Sequence, residues 1–223
     1  MKMGTSRLWT CIILILVGSA LVASSANAGL FGLFRSKKKS APVVRQSLVV
    51  FPFDHGSITN LPESFGEYVA SDVRSMLASN PRYAVFLYRD KLAPIQRAKV
   101  DNTLKAPDCT GPFAEDKAKT LRLAQLLAAE LYLVGTIDEY RVDPAAKVAE
   151  ITLSADLYDA KTGKLLKTLL VKASTPESTN TSHEDELRDL AKGAAVTKLV
   201  AELTAEPGET AAPASSTATG SGK

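Results

Sequence analysis

Apolar runs of strand length alternate with helical patterns through the body of the chain, and their order leaves few folds open. The first three runs are continuously apolar, which is typical of strands buried on both faces of a sheet. The fourth alternates apolar and polar side chains, and a short turn joins it to the fifth as a hairpin. The runs lie at residues 47–53, 83–88, 131–137, 148–158 and 165–173. With helices between them, the order β-α-β-α-α-β-β-β-α predicts an α/β fold, a mixed sheet of about five strands flanked by helices on both faces.

Four helices are predicted from apolar residues that recur at helical spacing. They lie at residues 63–79, around 92–98, at 114–130 and at 182–205. Residues 100–113 hold two prolines and a glycine and are expected to form an irregular insertion. The inward faces are expected to hold Phe65, Val69, Val73, Met76 and Leu77 in the first helix, Leu92, Ile95 and Ala98 in the second, Leu121, Ala124, Leu127 and Ala128 in the third, and Leu187, Leu190, Ala194, Leu199 and Leu203 in the last.

Polar residues before three of these helices predict N-terminal caps. Asn60 precedes Pro62, which suits the first helical position, and Asp90 precedes the second helix. Thr181 and Glu184 have the spacing of a capping box before the last helix. These caps set the predicted helix starts.

The first 28 residues have the pattern of an export signal. Lys2 and Arg7 form a positive start, residues 8–22 are mostly apolar, and Ala26-Asn27-Ala28 is a small-x-small cleavage pattern. The pattern predicts export with cleavage after Ala28. Lysines flank the apolar run on both sides, so an uncleaved signal that acts as an anchor stays an open alternative.

Composition divides the chain into four parts. Residues 1–28 form the signal, 29–46 a basic flexible linker, and 47–205 one domain large enough to hold its own core. Residues 206–223 are rich in Ala, Ser, Thr, Gly and Pro, which predicts a disordered tail. In residues 29–39, Leu and Phe precede an arginine and three lysines. This stretch suits either peripheral contact with a membrane or a solvated linker, and the second interpretation is favoured.

Charge and cysteine content restrict the partners. Residues 47–204 carry 19 basic and 22 acidic residues, so the folded body lacks the broad basic face that nucleic-acid binding requires. After loss of the signal, Cys109 is the only cysteine, and no intramolecular disulfide can form. Its thiol is reactive, paired between chains in a homo-oligomer, or an incidental small side chain between Pro107 and Gly111. The last interpretation is favoured.

Asp54 and His55 are the residues that most resemble a catalytic or metal-binding pair. They follow the first strand, and ligand sites of α/β proteins commonly form at the carboxyl ends of strands. With Asp72 or Asp90 they would complete an acid-base or metal site. The chain has only 2 histidines, so a metal set would depend on carboxylates whose spacing the sequence does not establish. A solvated loop histidine is the favoured interpretation.

The other candidate clusters have structural explanations. His183 to Glu186 looks like a ligand cluster, but it lies in the predicted first turn of a helix, where the helix dipole favours acidic side chains. Gly135 lies inside a strand, where it is expected to permit close approach of a helix rather than contact with a phosphate. The sequence has no glycine-rich phosphate loop, nucleophile elbow or Cys-x-x-Cys motif. We therefore expect a protein that is not an enzyme, with no catalytic, cofactor-binding or metal-binding residues.

Four stretches of the body resemble a known superfamily in sequence, order and spacing. They are the opening strand at residues 48–54, the strand and following Arg-Asp at 80–92, the helix that feeds a strand ending Val-Gly-Thr-Ile at 124–137, and the hairpin at 157–165. Together they resemble the superfamily that includes the curli-transport CsgG proteins, the amino-terminal domain of TolB and the LpoB-type activators of peptidoglycan synthases. The resemblance implies a CsgG/TolB-N-like α/β fold, a setting in the cell envelope, and a role in docking to other proteins.

Departures from the superfamily limit what the resemblance implies. Cys11 lies at the start of the apolar run and cannot serve as the lipidated cysteine of a lipoprotein. No pair of alternating segments of about ten residues is left over to form a pore hairpin, and no propeller follows that would make the chain a TolB. The resemblance therefore implies neither a pore nor any individual functional residue.

Three hypotheses follow. The first is an exported, non-enzymatic envelope protein in the periplasm or at the periphery of the outer membrane, which acts in assembly or secretion by binding other envelope proteins through a sheet edge or a helix face. The second is a periplasmic, LpoB-like regulator of a peptidoglycan synthase. The third, least favoured, is a hydrolase that uses Asp54 and His55.

Overall fold

The computed structural model describes residues 44–205, apart from Ser57 and Thr59. The predicted signal, residues 29–43 of the linker, the membrane-contact stretch and the tail at 206–223 lie outside the described residues. The elements are β1 (Gln46–Val50), α1 (Phe65–Leu77), β2 (Tyr83–Leu87), α2 (Ala93–Val100), a short 3-10 helix (Ala106–Cys109), α3 (Lys117–Leu126), β3 (Leu131–Asp143), β4 (Val148–Asp159), β5 (Leu165–Ser174) and α4 (Glu184–Thr204). Their order is the one that the sequence predicts.

The five strands form one mixed sheet in the order β2-β1-β3-β4-β5. β1 lies between β2 and β3 and runs parallel to both, which explains its continuously apolar sequence. β3, β4 and β5 form an antiparallel meander. The predicted fold class, a mixed five-stranded sheet flanked by helices, is confirmed.

Helices α1 and α4 cover one face of the sheet with an aliphatic core. This covered face receives side chains from all five strands, among them Leu48, Leu133, Leu153 and Val171. The alternation in β4 is confirmed, because Ile151, Leu153, Ala155 and Leu157 are all buried against this core. On this side the apolar face of each strand, which repeats every two residues, packs against the apolar faces of the helices, which repeat every 3.6 residues.

The opposite face holds a second cluster that is rich in aromatic rings. Phe51 stacks on Tyr88 with ring centroids 4.7 Å apart, and Phe113 lies 5.1 Å from each. Tyr132 stacks on Tyr158 at 5.0 Å. Residues of α2, α3 and the insertion between them close this aromatic cluster, to which β5 contributes nothing.

The predicted helix starts are partly wrong. α1 begins at Phe65, because the chain first makes a turn in which the Phe65 N–H donates to the Pro62 carbonyl, so Asn60 is not its cap. Leu92 is the N-terminal cap residue of α2, and the Asp90 carboxylate lies 3.4 Å from Lys99 Nζ instead of capping.

The predicted capping box of the last helix does not form. α4 begins at Glu184 after His183, and the His183 N–H donates to the Thr181 hydroxyl at 3.1 Å. The local sequence permitted each of these caps, but the paths of the preceding loops selected other hydrogen bonds.

The predicted end of α3 is wrong because the chain leaves the helix in a left-handed turn. Ala128 has φ +53°, and the Ala129 N–H donates to the Ala124 carbonyl while the Ala128 N–H donates to that of Gln125. This is the pattern of a Schellman motif, which usually places glycine at this position. The turn lets Glu130 reach β1, where its N–H donates to the Ser47 carbonyl.

Some residues predicted to face inward do not. Met76 and Leu190 are about 40% exposed (39% and 41%), and Ala128 is exposed. Leu92, Leu121, Leu127 and Ala194 are only half-buried. The remaining predicted inward residues of the four helices are buried. The residues that were wrongly predicted to be buried lie at the borders of the apolar helix faces. There the neighbouring element, rather than the periodicity of the helix, decides whether a side chain is buried.

Candidate interaction surface and crevice

One half of the aromatic face is not covered by any described helix. Within the described residues the meander is followed by α4 alone, and α4 packs on the other side of the sheet. The side chains left uncovered form what we call the open sheet face. It comprises Thr136, Glu139 and Arg141 of β3, Glu150, Thr152, Ser154 and Asp156 of β4, and Thr168, Leu170 and Lys172 of β5.

Polar groups on the open sheet face are held in defined positions by one another. The hydroxyls of Thr136 and Ser154 lie 2.5 Å apart and 2.9 and 3.1 Å from Asp138 Oδ1. A register shift between Ile137 and Glu139 brings Asp138 into this position, as β-bulges commonly do. The Thr168 hydroxyl donates to Asp156 Oδ1 at 2.7 Å. These bonds order the surface before any partner arrives.

Apolar and charged side chains complete the open sheet face. Leu170 is 66% exposed, the largest exposed fraction of any leucine among the described residues. Lys172 pairs with Glu150 at 2.9 Å, and Arg141 pairs with Glu139 at 2.5 Å. An exposed apolar side chain with ion pairs around it matches the apolar centre and polar rim of protein interfaces.

β5 forms an unpaired edge beside the open sheet face. The Thr175 N–H donates to the Ala149 carbonyl, so alternate residues back along β5 direct their backbone groups toward β4. The residues between them, Thr168, Leu170 and Lys172, direct theirs outward. Consistently, Lys198 Nζ of α4 donates to the outward carbonyl of Lys172 at 3.0 Å. Most of this edge therefore has no strand partner among the described residues and is able to pair with an added strand, and Lys198 lies at one end of it.

A crevice of about 720 Å³ opens at the carboxyl ends of β1 and β2. β1 is followed by α1 on one face of the sheet, and β2 by α2 on the other, so the crevice lies at the switch point where α/β proteins bind ligands. Asp54, His55 and Asp90, three of the four residues singled out as candidates, line it. Asp72 does not, because it lies on α1 and pairs with Lys192 at 3.1 Å.

The Asp54 carboxylate has a structural task. Its Oδ2 accepts hydrogen bonds from the backbone N–H groups of Phe113 and Ala114, both at 2.7 Å. Its own backbone bridges to β3 through Gly135 and Ile137. Asp54 therefore fastens the insertion onto the end of β1, and it makes no bond to His55 of the kind that an acid-base pair requires.

His55 contributes one buried acceptor to the crevice. Its Nε2 lies 3.2 Å from the Glu63 carbonyl oxygen, so Nε2 carries the proton and donates it. In a neutral ring Nδ1 is then the acceptor, and it is buried and has no hydrogen-bond partner among the described residues. His55 is half-buried rather than fully solvated, which corrects the favoured expectation of a solvated loop residue.

The tyrosines of the aromatic cluster stay neutral. Burial raises the pKa of Tyr88 well above its usual range, and the nearby Cys109 adds to this. Burial, with a smaller contribution from Tyr158, raises the pKa of Tyr132 to about 12. The Tyr88 hydroxyl donates to the Cys109 carbonyl at 2.8 Å. These phenols act as packing groups with a hydrogen-bonding tip.

The remaining candidates occupy structural positions. Cys109 is buried in the 3-10 helix, as the interpretation of an incidental side chain expects. A Cβ added to Gly135 would lie 2.3 Å from the Phe53 ring, so an aromatic ring approaches there and not the helix that was expected. Glu184, Asp185 and Glu186 lie in the first turn of α4, where Asp185 pairs with Arg188.

Sequence reasoning missed four charged residues that line the crevice: Glu63, Glu67, Arg89 and Lys91. The switch-point rule that drew attention to Asp54 and His55 applies equally to the end of β2, and it would have found Arg89 and Lys91. Within residues 44–205 as described, no group of three or more His, Cys, Asp or Glu is placed to hold a metal ion. No helix in that part of the chain is long and apolar enough to cross a membrane.

No protein-family model and no curated protein matches the chain. Among solved structures it is similar to the PelC dodecamer from Paraburkholderia phytofirmans, with 15% identity over 72% of this chain and 91% of that one and a TM-score of 0.46. It is also similar to the LpoB C-terminal domain from Salmonella enterica (16% identity, 57% and 81% covered, TM-score 0.42). A third similar structure is the lipoprotein GNA1162 from Neisseria meningitidis, with 20% identity over 71% of this chain and 97% of that one and a TM-score of 0.42.

LpoB, one of the three groups in the resemblance, is thus among the similar structures, whereas likeness to CsgG and TolB stays a prediction. TM-scores this low do not support a conclusion about function. The fold class rests on the structure of this chain itself.

Proposed function

We propose that this protein is a non-enzymatic, exported module of the cell envelope that binds another protein through the open sheet face and the β5 edge. The observation that carries the proposal is the open sheet face, with Leu170 exposed on its edge strand β5. The partner is an extended segment of an envelope protein that adds a strand along β5 and sets an apolar side chain against Leu170. Backbone hydrogen bonds supply affinity in such pairing, and the side-chain contacts supply specificity.

The chemistry of the crevice supports the absence of catalysis in this proposal. The Asp54 carboxylate is engaged by two backbone N–H groups, and Asp72 lies elsewhere on α1. The buried phenols stay protonated at neutral pH. A His55→Ala variant that retains function in the host cell is the expected result, and loss of function with retained folding would favour the hydrolase hypothesis instead.

The finer role within the envelope follows from the identity of the partner. The four stretches that resemble the superfamily support two roles, assembly or secretion on one side and LpoB-like regulation of a peptidoglycan synthase on the other. Photo-crosslinking in the host cell separates them. A photoreactive residue replaces Leu170 on the open sheet face, and in the control it replaces Val100, which is 79% exposed on α2.

The expected result is a product at position 170 that the control lacks, identified by mass spectrometry. A peptidoglycan synthase would assign the regulatory role, and a secretion or Tol component would assign assembly. A second copy of this chain would assign the surface to a homo-oligomer, which light scattering checks. Equal labelling at both positions would contradict the proposed surface.

Export is tested separately. Intact-mass analysis of the protein from fractionated cells is expected to show a chain that begins at Gly29, in the periplasmic or outer-membrane fraction. A membrane-bound chain that retains residues 1–28 would favour the uncleaved anchor. A cytoplasmic chain would overturn the envelope setting altogether.

A further inference from the structure

Four charged side chains line the crevice without partners. Glu63 lies in the turn before α1 and Glu67 in its first turn, and Arg89 and Lys91 follow β2. None of the four forms an ion pair with a described residue, although opposite charges line the same cavity. By contrast Asp90, between the two basic residues, is 3.4 Å from Lys99.

The separation of charge follows from the fold. α1 packs on the covered face and the segment after β2 leads to the opposite face, so acids and bases approach the crevice from different sides of the sheet. The volume between them, about 720 Å³, is in the range of small-molecule sites. Glu63 and Glu67 make one side of the crevice acidic, and Arg89 and Lys91 make the other basic, since Asp90 between them is paired with Lys99. A ligand that carries a single charge would leave one side unmatched.

The rest of the crevice supplies hydrogen-bonding and apolar groups. The buried His55 Nδ1 is an acceptor without a described partner. Gly56 and Gly111 line the crevice without side chains, which leaves backbone groups accessible, and Phe113 gives an apolar surface. These features suit a small polar molecule with a short apolar part.

We propose that the crevice binds a small zwitterion, a free amino acid or a short peptide with both termini free. Its ammonium group lies toward Glu63 and Glu67, its carboxylate toward Arg89 and Lys91, and His55 Nδ1 accepts a hydrogen bond from it. This site lies at the ends of β1 and β2, away from the β5 edge, so it is independent of the proposed function. An experiment that refutes one of the two proposals therefore leaves the other standing.

Titration of the ¹⁵N-labelled protein by NMR tests the proposal. The probes are alanine, alanyl-alanine, N-acetyl-alanyl-alanine and alanyl-alanine amide. Saturable shifts at the amides of Gly56 and Gly111 are expected with the zwitterions at millimolar concentration. Each capped dipeptide, which lacks one charge, is expected to bind about fivefold more weakly than alanyl-alanine, the range that partly exposed charge pairs supply. Tighter binding of the dipeptide than of alanine would assign short peptides, and the reverse would assign amino acids.

Charge variants test which side chains bind the ammonium group of the ligand and which bind its carboxylate. E63Q/E67Q is expected to remove the preference for a free ammonium group, and R89Q/K91Q the preference for a free carboxylate, each without change in the melting temperature beyond a few degrees. E177Q/E202Q and K161Q/K164Q make the same charge changes at exposed positions outside the crevice and are expected to bind like the parent. Absence of saturable shifts with both zwitterions, or equal binding of the capped and free dipeptides, would overturn the proposal.

Discussion

The two faces of the sheet are built from the same strands but differ in composition and coverage. The covered face is aliphatic, spans all five strands and is closed by α1 and α4. The opposite face has an aromatic cluster over β1, the end of β2, the first half of β3 and Tyr158 of β4, and the open sheet face over the rest of β3 and most of β4 and β5. The difference arises because β3, β4 and β5 are joined by hairpins, so no connection between them crosses the second face. The described helices α1 and α4 therefore cover the first face across all five strands, whereas part of the second face is left open by the described residues.

Leucines on the two faces give the largest expected contrast. Leu153 is fully buried on the covered face, whereas Leu170, which pairs across the strands with Ser154, is exposed. Leu153→Ala is expected to lower the free energy of unfolding by about 3–4 kcal/mol, because it leaves a cavity. Leu170→Ala is expected to change it by less than about 0.5 kcal/mol. Urea denaturation measures both free energies of unfolding. Similar losses in the two variants would show that the two faces do not differ in this way.

Alkaline pH is expected to destabilise the folded protein through Tyr132 in the aromatic cluster. Burial raises the pKa of Tyr132 to about 12 in the folded protein, from 10.0 for a tyrosine in water. Between these values the unfolded chain releases the phenolic proton and the folded chain keeps it, so stability is fully present below pH 10 and falls as the pH rises. The loss is on the order of 2 kcal/mol.

Denaturation midpoints measured from pH 8 to pH 11 check this, with Tyr132→Phe as the matched variant. The variant is expected to show a shallower decline than the parent protein. A decline of the same slope in both would show that Tyr132 is not the cause.

Two helical glycines differ in how closely other atoms pack around them. A Cβ at Gly66 of α1 would lie 1.8 Å from the Phe53 carbonyl oxygen, whereas a Cβ at Gly193 of α4 would meet nothing within 4 Å. Gly66→Ala is expected to cost about 2 kcal/mol through overpacking. Gly193→Ala is expected to stabilise by up to about 1 kcal/mol through helix propensity. Thermal unfolding of both variants is the measurement, and stabilisation by Gly66→Ala would contradict the close packing of α1 on the segment after β1.

The smallest expected effect lies at the end of α3, on the aromatic side. Ala128 has φ +53°, a left-handed conformation that glycine adopts without steric cost. Ala128→Gly is expected to raise the free energy of unfolding by about 0.5–1 kcal/mol. Ala129→Gly, next along the chain, serves as the control and is expected not to stabilise. A loss of stability in Ala128→Gly would show that α3 does not end in this turn.

Local patterns predicted much of the covered face. The alternation in β4 placed Ile151 and Leu153 inward correctly, because a strand that packs one face on a core must repeat every two residues. Helix ends were predicted less well. The Asn60 and Asp90 caps and the continuation of α3 to Glu130 failed, because loop paths and a left-handed turn decided them.

The candidate site was predicted only in part. Asp54 and His55 were correctly placed at the end of β1, but the hydrogen bonds of Asp54 go to residues 59 and 60 positions away, which no local pattern indicates. The exposure of Leu170 was also not predicted, although Thr168 and Lys172, two residues to either side on the same face of β5, are polar.

The sequence by itself determined the order of the strands and helices, the two strand types and the near-neutral charge of the body. These properties depend on periodicity and composition, which are local. The tertiary structure alone decided that β1 lies between β2 and β3, that half of one sheet face stays uncovered, and that acids from α1 and bases after β2 line one crevice. These depend on pairing between distant segments, whose free energy comes from contacts that no single segment contains.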